Sequence, residues 1–341
     1  MMKKRRKKKK KTLLLTTILI DLIVLLCFYL TYGPMKDFLI TTSMTTMNHK
    51  YIAKTFYSKK TIEKVLANNT IADFKEGTNK DHIDFNEEIP TTFKNEYEKQ
   101  ILDRKKGDKY KLVEFKYKGY NCFLTAIYDS KNVTIAQTEY LGVQGETLRN
   151  IASKNNAKVA INAGGFIDPN GTGDGGSPMG PVIHNSKIVW GNANDSFEMV
   201  GINKDNILVL ENTTPKKAIE NGIRDAINFG PYLIVNGKSA KITGNGGWGT
   251  NPRTAIAQRK DGIFLFLVID GNGQNKYNWN GRGGVTLNDL IEILKRYDAY
   301  NAANMDGGAS TNLVIENKLI NKPCAISDTG ERWLPNGWIL K

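Results

Sequence analysis

The chain has 341 residues and a formal net charge of +14, yet nine of its 48 basic residues stand together at 3–11, and the other 39 face 34 acidic residues. The excess over the rest of the chain is small, which gives no basis for nucleic-acid binding, a function that needs basic residues spread where phosphates dock. Three histidines, three cysteines, no HExxH and no CxxC exclude zinc-protease chemistry on residue supply.

In chain order, the basic run at 3–11 is followed by an almost unbroken apolar run over 13–32. Twenty residues at about 1.5 Å each make a helix of roughly 30 Å, the thickness of a hydrocarbon core. Asp21 within it costs about 2.5–3.5 kcal/mol on insertion scales, which the surrounding Leu and Ile offset. The exit, Thr31-Tyr32-Gly33-Pro34, lacks a small-x-small cleavage site, so an uncleaved anchor is expected rather than a signal peptide. A basic cluster before a span stays in the cytoplasm. The expectation is therefore a cytoplasmic segment at 1–12, a transmembrane helix at 13–32 in contact with membrane lipid, and everything beyond it on the extracytoplasmic side. Residues 33–110 are polar and poor in glycine. Apolar spacing at Ile52, Phe56, Ile62, Val65 and Leu66 predicts helix within 35–68, and 73–109 reads as flexible sequence, so 33–110 is expected to be a stalk or linker.

The character changes near Lys111, where a single domain over 111–341 is expected. Strands are predicted at 111–116, 122–128, 133–138, 158–162, 182–184, 188–190, 198–202, 207–210, 232–235, 254–258, 263–269 and 313–315, with helices at 147–154, 215–221 and 286–297. Thr286 with Asp289 three residues on is a helix-start signal. Strands outnumber helices and do not alternate with them regularly. The fold class is therefore α+β, a mixed, largely antiparallel sheet with flanking helices, rather than a doubly wound parallel sheet. Cys122 and Cys324 lie far apart in sequence, and both a disulfide and two buried thiols fit them.

Five glycine-rich segments punctuate this domain: INAGGF (161–166), GDGGSP (173–178), GGWGTNPRT (246–254), DGNG (270–273) and NMDGGAS (304–310). Each adjoins a predicted strand, where glycine lets the backbone turn tightly and approach a ligand. Gly237-Lys238-Ser239 lacks the earlier glycine of a phosphate-binding loop, Tyr232 standing in its place, and no G-x-S-x-G elbow occurs. The alternate oxygen ligands of Asp168 to Asp174 fit an Asx-rich turn or a weak non-EF-hand calcium site, because an EF-hand needs Glu where Met179 stands.

Taken with GGSPMGPVI (175–183), FGPYLIVNGK (229–238), GGWGTNPRTAIA (246–257), the hydrophobic strand ending in Asp270 and NAANMDGGASTNLV (301–314), INAGGF places the region from about 120 to 341 in resemblance to the phosphodiester glycosidase family. The 39–58 stretch also resembles membrane-anchored bacterial members described as exopolysaccharide-related. The resemblance implies a hydrolase, without cofactor, that cleaves a sugar-1-phosphodiester in a cell-surface glycan. A phosphate leaving group needs charge stabilisation more than protonation, and arginine binds it bidentately. On that basis the expected catalytic residues are Arg253 for the phosphate, Asp306 for the developing oxocarbenium ion and Asp270 as a second carboxylate. Asn162, Gly164, Gly165, Thr254, Gly307, Gly308 and Ser310 are expected to line the pocket, with His184 as a proton shuttle. Relatives often carry DGR where this chain has Asp270-Gly271-Asn272, so either Arg282 replaces that arginine or the site has a different subsite. Trp190, Trp248, Trp279, Trp333 and Trp338 suit sugar stacking or core packing. A glycan-binding or polymer-assembly protein on the same fold, and a glycosyl transferase, are the competing readings; a buried Arg253–Asp306 salt bridge is the competing role for that pair.

Overall fold

The computed structural model describes residues 2–45, 50–85, 88–169, 173–272, 283–325 and 327–341. Four helices come first: α1 (Met2–Thr31), α2 (Gly33–Thr45), α3 (Lys50–Phe56) and α4 (Lys59–Ala67). Ile40, Ala53, Ile62 and Val65 close a small core among α2, α3 and α4. The apolar side chains of α1 from Leu14 to Phe28 are exposed, at 45–63% for the large ones. No single helix among the described residues is long and apolar enough to cross a membrane; Leu14–Phe28 and α2, bent by 76°, meet the length and composition only as a pair.

The described residues between 73 and 102, part of the 73–109 stretch expected to be flexible, lie folded against the domain. Thr78 N–H donates to Leu210 O at 3.1 Å and Asp84 N–H to Lys260 O at 2.8 Å. α5 (Glu96–Leu102) buries Ile101 completely, and Ile83 is 8% exposed. The polar composition concealed this, because backbone hydrogen bonds hold most of the strap.

Three antiparallel sheets follow. The first has seven strands, β1 (Tyr110–Tyr117), β2 (Tyr120–Ile127), β10 (Tyr232–Val235), β11 (Lys238–Ser239), β12 (Arg253–Arg259), β13 (Phe264–Ile269) and β14 (Ala299–Asn304), in the order β1-β2-β13-β12-β14-β10-β11. The second runs β16-β15-β4-β17-β3, from β3 (Val133–Gln137), β4 (Val159–Asn162), β15 (Leu313–Ile315), β16 (Lys318–Leu319) and β17 (Asn336–Leu340). The third runs β6-β5-β9-β7-β8, from β5 (Val182–His184), β6 (Lys187–Trp190), β7 (Phe197–Asn203), β8 (Leu208–Thr213) and β9 (Ile223–Asn228).

Side-chain alternation along β13 explains the layers. Phe264, Phe266 and Val268 enter the core that all three sheets share, while Leu265, Leu267 and Ile269 face the opposite way, into the core under α8 (Leu287–Arg296). A strand buried on both faces needs an unbroken apolar run, which 264–269 supplies. The expected capping box of α8 is present in full: Asp289 N–H reaches Thr286 Oγ1, and Thr286 N–H reaches Asp289 Oδ2. α6 (Leu148–Lys154) covers the second sheet, and α7 (Pro215–Glu220) packs beside β9. No disulfide joins Cys122 to Cys324.

Candidate active site

Strand register brings the two leading candidates to one end of the first sheet. β12 starts at Arg253 and β14 ends at Asn304, paired antiparallel with Ala255 opposite Asn304. Met305 N–H still bonds Thr254 O at 2.8 Å, after which Asp306 N–H crosses to Ala163 O of the second sheet at 3.0 Å. The candidate site thus lies where β12, β14 and the end of β4 meet. Asp306, Gly307, Gly308 and Arg253 line a cleft of about 560 Å³ there, together with Gly165, Phe166, Phe229, Trp248 and Trp333. A Cβ built at Gly307 would lie 3.9 Å from Arg253 Cδ and 2.8 Å from Pro252 O, so glycine permits the close approach.

The Arg253 guanidinium is held by backbone carbonyls, Nε by Val285 O at 3.2 Å and Nη2 by Trp248 O and Gly249 O at 2.9 Å each. Three of its five N–H donors are thereby used. Burial lowers its pKa to about 10, which leaves it charged at neutral pH. No ion pair joins it to Asp306 among the described residues, so the salt-bridge role for the pair is not what the geometry displays. Asp306 has its carboxyl pushed up to about 6 by burial, against the opposing pull of the Ser310 hydroxyl, the Arg332 charge and the Gly307 N–H, which donates to Oδ1 at 3.0 Å.

Asn162, 1% exposed, does not reach the cleft. It is a buried hub: its Oδ1 accepts from Thr254 Oγ1 at 2.7 Å and Asn312 N–H at 3.0 Å, and its Nδ2 donates to Asp306 O at 2.6 Å. Thr254 and Ser310 are likewise buried behind the loop, and Gly164 uses its N–H on Asn336 Oδ1 at 2.8 Å. Asn162 fixes the backbone of Asp306, while the Ser310 hydroxyl acts on its carboxyl.

Two further expected site residues lie away from this cleft among the described residues. Asp270 is 3% exposed and off the cleft, and its oxygens accept from Asn321 Nδ2 at 3.0 Å and Lys322 N–H at 3.1 and 3.2 Å. It ties down a loop. His184 sits on the third sheet, its Nδ1 3.0 Å from Asp225 Oδ1, where Arg224 and Thr134 also reach that buried carboxylate. Arg282 and Trp279 lie outside the described residues. Trp338 is core, and Trp190 donates to Pro178 O at 3.1 Å.

The cleft also contains residues that sequence reasoning missed. Arg332 spans it, with Nη2 2.5 Å from Asp168 Oδ2 and the guanidinium 4.4 Å from the Phe166 ring centroid. Asp168 Oδ1 meanwhile accepts from Gly173 N–H at 2.7 Å and closes its loop. Glu331, 2% exposed, pairs with Arg149. No strand is predicted from the sequence at 336–340, and Arg332 lies just before β17, which begins at Asn336.

Residues 155–341 match the family model described as phosphodiester glycosidase. An uncharacterised prophage-derived protein of Bacillus subtilis, YomE, is 26% identical over 226 residues, 61% of this chain and 32% of that one. The N-acetylglucosamine-1-phosphodiester alpha-N-acetylglucosaminidases of Homo sapiens and Bos taurus are 25% and 24% identical over 194 residues, 52% of this chain and 35% and 34% of theirs. The match thus spans about a third of these relatives' length. The catalytic domain of the zebrafish N-acetylglucosamine-1-phosphodiester alpha-N-acetylglucosaminidase, auto-inhibited by its pro-peptide, shares the fold at a TM-score of 0.54 and 20% identity, over 68% of this chain and 81% of that one.

Proposed function

The chain belongs to the phosphodiester glycosidase family, and on that premise we propose that it hydrolyses the C1–O bond of a sugar-1-phosphodiester. The observation that carries the reading is the cleft shared by a charged arginine and a carboxylate that titrates near neutrality. Arg253, carbonyl-held in a fixed orientation, receives the phosphate and stabilises the charge that grows on it as the bond breaks. Asp306, ionised above about pH 6, faces the anomeric carbon and stabilises or attacks the oxocarbenium ion. A phosphomonoester leaves without a strong acid. Trp248, Trp333 and Phe229 supply apolar faces for the sugar.

The substrate in this reading is a cell-surface glycan or exopolysaccharide, and the protein is a single-pass membrane protein with its N-terminus in the cytoplasm. Support comes from the basic run at 3–11 and from the exposed apolar side chains between Leu14 and Phe28, a surface that water solvates poorly. The test is an assay of the purified full-length protein on a panel of sugar-1-phosphodiesters. Release of free sugar and phosphomonoester is expected. Saturable binding to these compounds without turnover by the wild type would instead favour a glycan-binding role.

A further inference from the structure

We propose that Thr41 of α2 is a positioning residue for the reaction, acting through Asn245 and the 246–249 turn on the Arg253 guanidinium. The inference rests on the reading of Arg253 as the phosphate-binding group.

The direction of that guanidinium is set by the carbonyls of Trp248 and Gly249. The turn that carries them has Gly246, Gly247 and Gly249 at φ of 70°, 78° and 56°, left-handed conformations open to glycine. A turn built this way gains its conformation from its neighbours, and its anchor is Asn245. Asn245 Oδ1 accepts from Gly247 N–H at 3.0 Å, its own N–H donates to Asn69 Oδ1 at 3.0 Å, and its Nδ2 donates to Thr41 Oγ1 at 2.6 Å.

The Thr41 hydroxyl is fully buried, and it donates in turn to Asp37 O at 2.6 Å. With its proton committed to that carbonyl, its oxygen presents a lone pair to Asn245 in one fixed direction. α2 also meets the far end of the turn, since a Cβ built at Gly249 would lie 2.6 Å from Thr42 Oγ1. The last residue of the helix, Thr45, lines the cleft. Thus α2 backs the turn at both Asn245 and Gly249, and the turn backs Arg253. Ile40 also packs with Ala53, Ile62 and Val65 of α3 and α4, a core that does not involve the Thr41 hydroxyl.

The test compares Thr41→Val, which keeps the shape and removes the hydroxyl, with Thr41→Ser, which keeps the hydroxyl. A small displacement of a group that stabilises transition-state charge lowers kcat more than it raises KM. In the full chain, Thr41→Val is expected to lower kcat on a sugar-1-phosphodiester about tenfold with KM within about twofold, and Thr41→Ser to restore it. In an Arg253→Ala background the same substitution should cost nothing further, because its effect passes through that side chain. Amide hydrogen exchange over 246–251 should accelerate in Thr41→Val and not in Thr41→Ser. An equal loss in the Arg253→Ala background, or unchanged kcat, overturns the proposal. Should the wild type cleave no sugar-1-phosphodiester, the reaction reading falls on its own account. Exchange over 246–251 then decides whether Thr41 holds the turn, and unchanged exchange overturns it.

Discussion

Asp306 and Asp270 carry the same local signature, an aspartate followed by glycine at the end of a buried strand of one sheet, yet the two regions have opposite fates. Asp306 leaves β14 beside Arg253 and opens onto a cleft, with one N–H, that of Gly307, on its carboxylate. Asp270 leaves β13 and is closed over by Asn321 and Lys322, which occupy both its oxygens. Burial raises both carboxyls, so the shift alone does not tell them apart. The contrast is one of closure: a distant loop covers Asp270, while Asp306 stays open to the cleft.

The sharpest way to break the comparison is by activity. Asp306→Asn and Arg253→Ala should each lower kcat/KM on a sugar-1-phosphodiester by about 10²–10³, the usual cost of losing preorganised charge stabilisation. Asp270→Asn, which keeps an acceptor at Oδ1, should stay within about threefold. Steady-state kinetics on the three variants checks this, and a loss at Asp270 equal to that at Asp306 would erase the distinction.

Stability comes next. Asn162→Ala removes the hub and strands Thr254 Oγ1, Asn312 N–H and Asp306 O, at about 1–3 kcal/mol for groups left buried and unpaired. Asp270→Ala strands Asn321 and Lys322 N–H and should cost a similar amount while leaving KM near the wild-type value. Denaturant unfolding of both variants measures these costs, and the kinetics of Asp270→Ala separates a structural lock from a ligand contact.

A third effect has the opposite sign. Asp306 has a folded-state pKa of about 6, above its ordinary 3.8, so its ionised form penalises the native state. That penalty grows as pH rises from about 4 to about 6 and is complete above it. Asp306→Asn should therefore be more stable than wild type at pH 7.5, by about 1–3 kcal/mol, and should lose the advantage near pH 4. Thermal unfolding at the two pH values checks the sign.

Much of this arrangement was legible in the sequence. The apolar run 264–269, the capping box at Thr286 and the glycine-rich segments led to β13, α8 and the loops around Asp306. Other parts were not. β14 reads Ala-Tyr-Asn-Ala-Ala-Asn, a poor strand by propensity, yet all six residues are buried. One end of each buried asparagine amide is paired at long range: Asn301 Oδ1 accepts from Asn236 N–H at 2.9 Å and Asn304 Nδ2 donates to Gly230 O at 3.0 Å, partners more than 60 residues away. Arg332 and Asp168 were missed for a related reason. Their pairing across 164 residues leaves no local pattern. The same applies to Asp270, whose local motif matches that of Asp306 and whose lock comes from a distant loop.

The central claim is that the bond broken lies between the sugar carbon and the bridging oxygen, with Arg253 receiving the phosphate. The direct measurement is hydrolysis of a sugar-1-phosphodiester by the full-length protein in oxygen-18 water, with kcat/KM followed from pH 4.5 to 8. The account predicts label in the anomeric hydroxyl of the released sugar, none in the phosphomonoester, and a rate that falls as pH drops through about 6, where Asp306 takes up its proton. Label in the phosphate would mean attack at phosphorus and would contradict it.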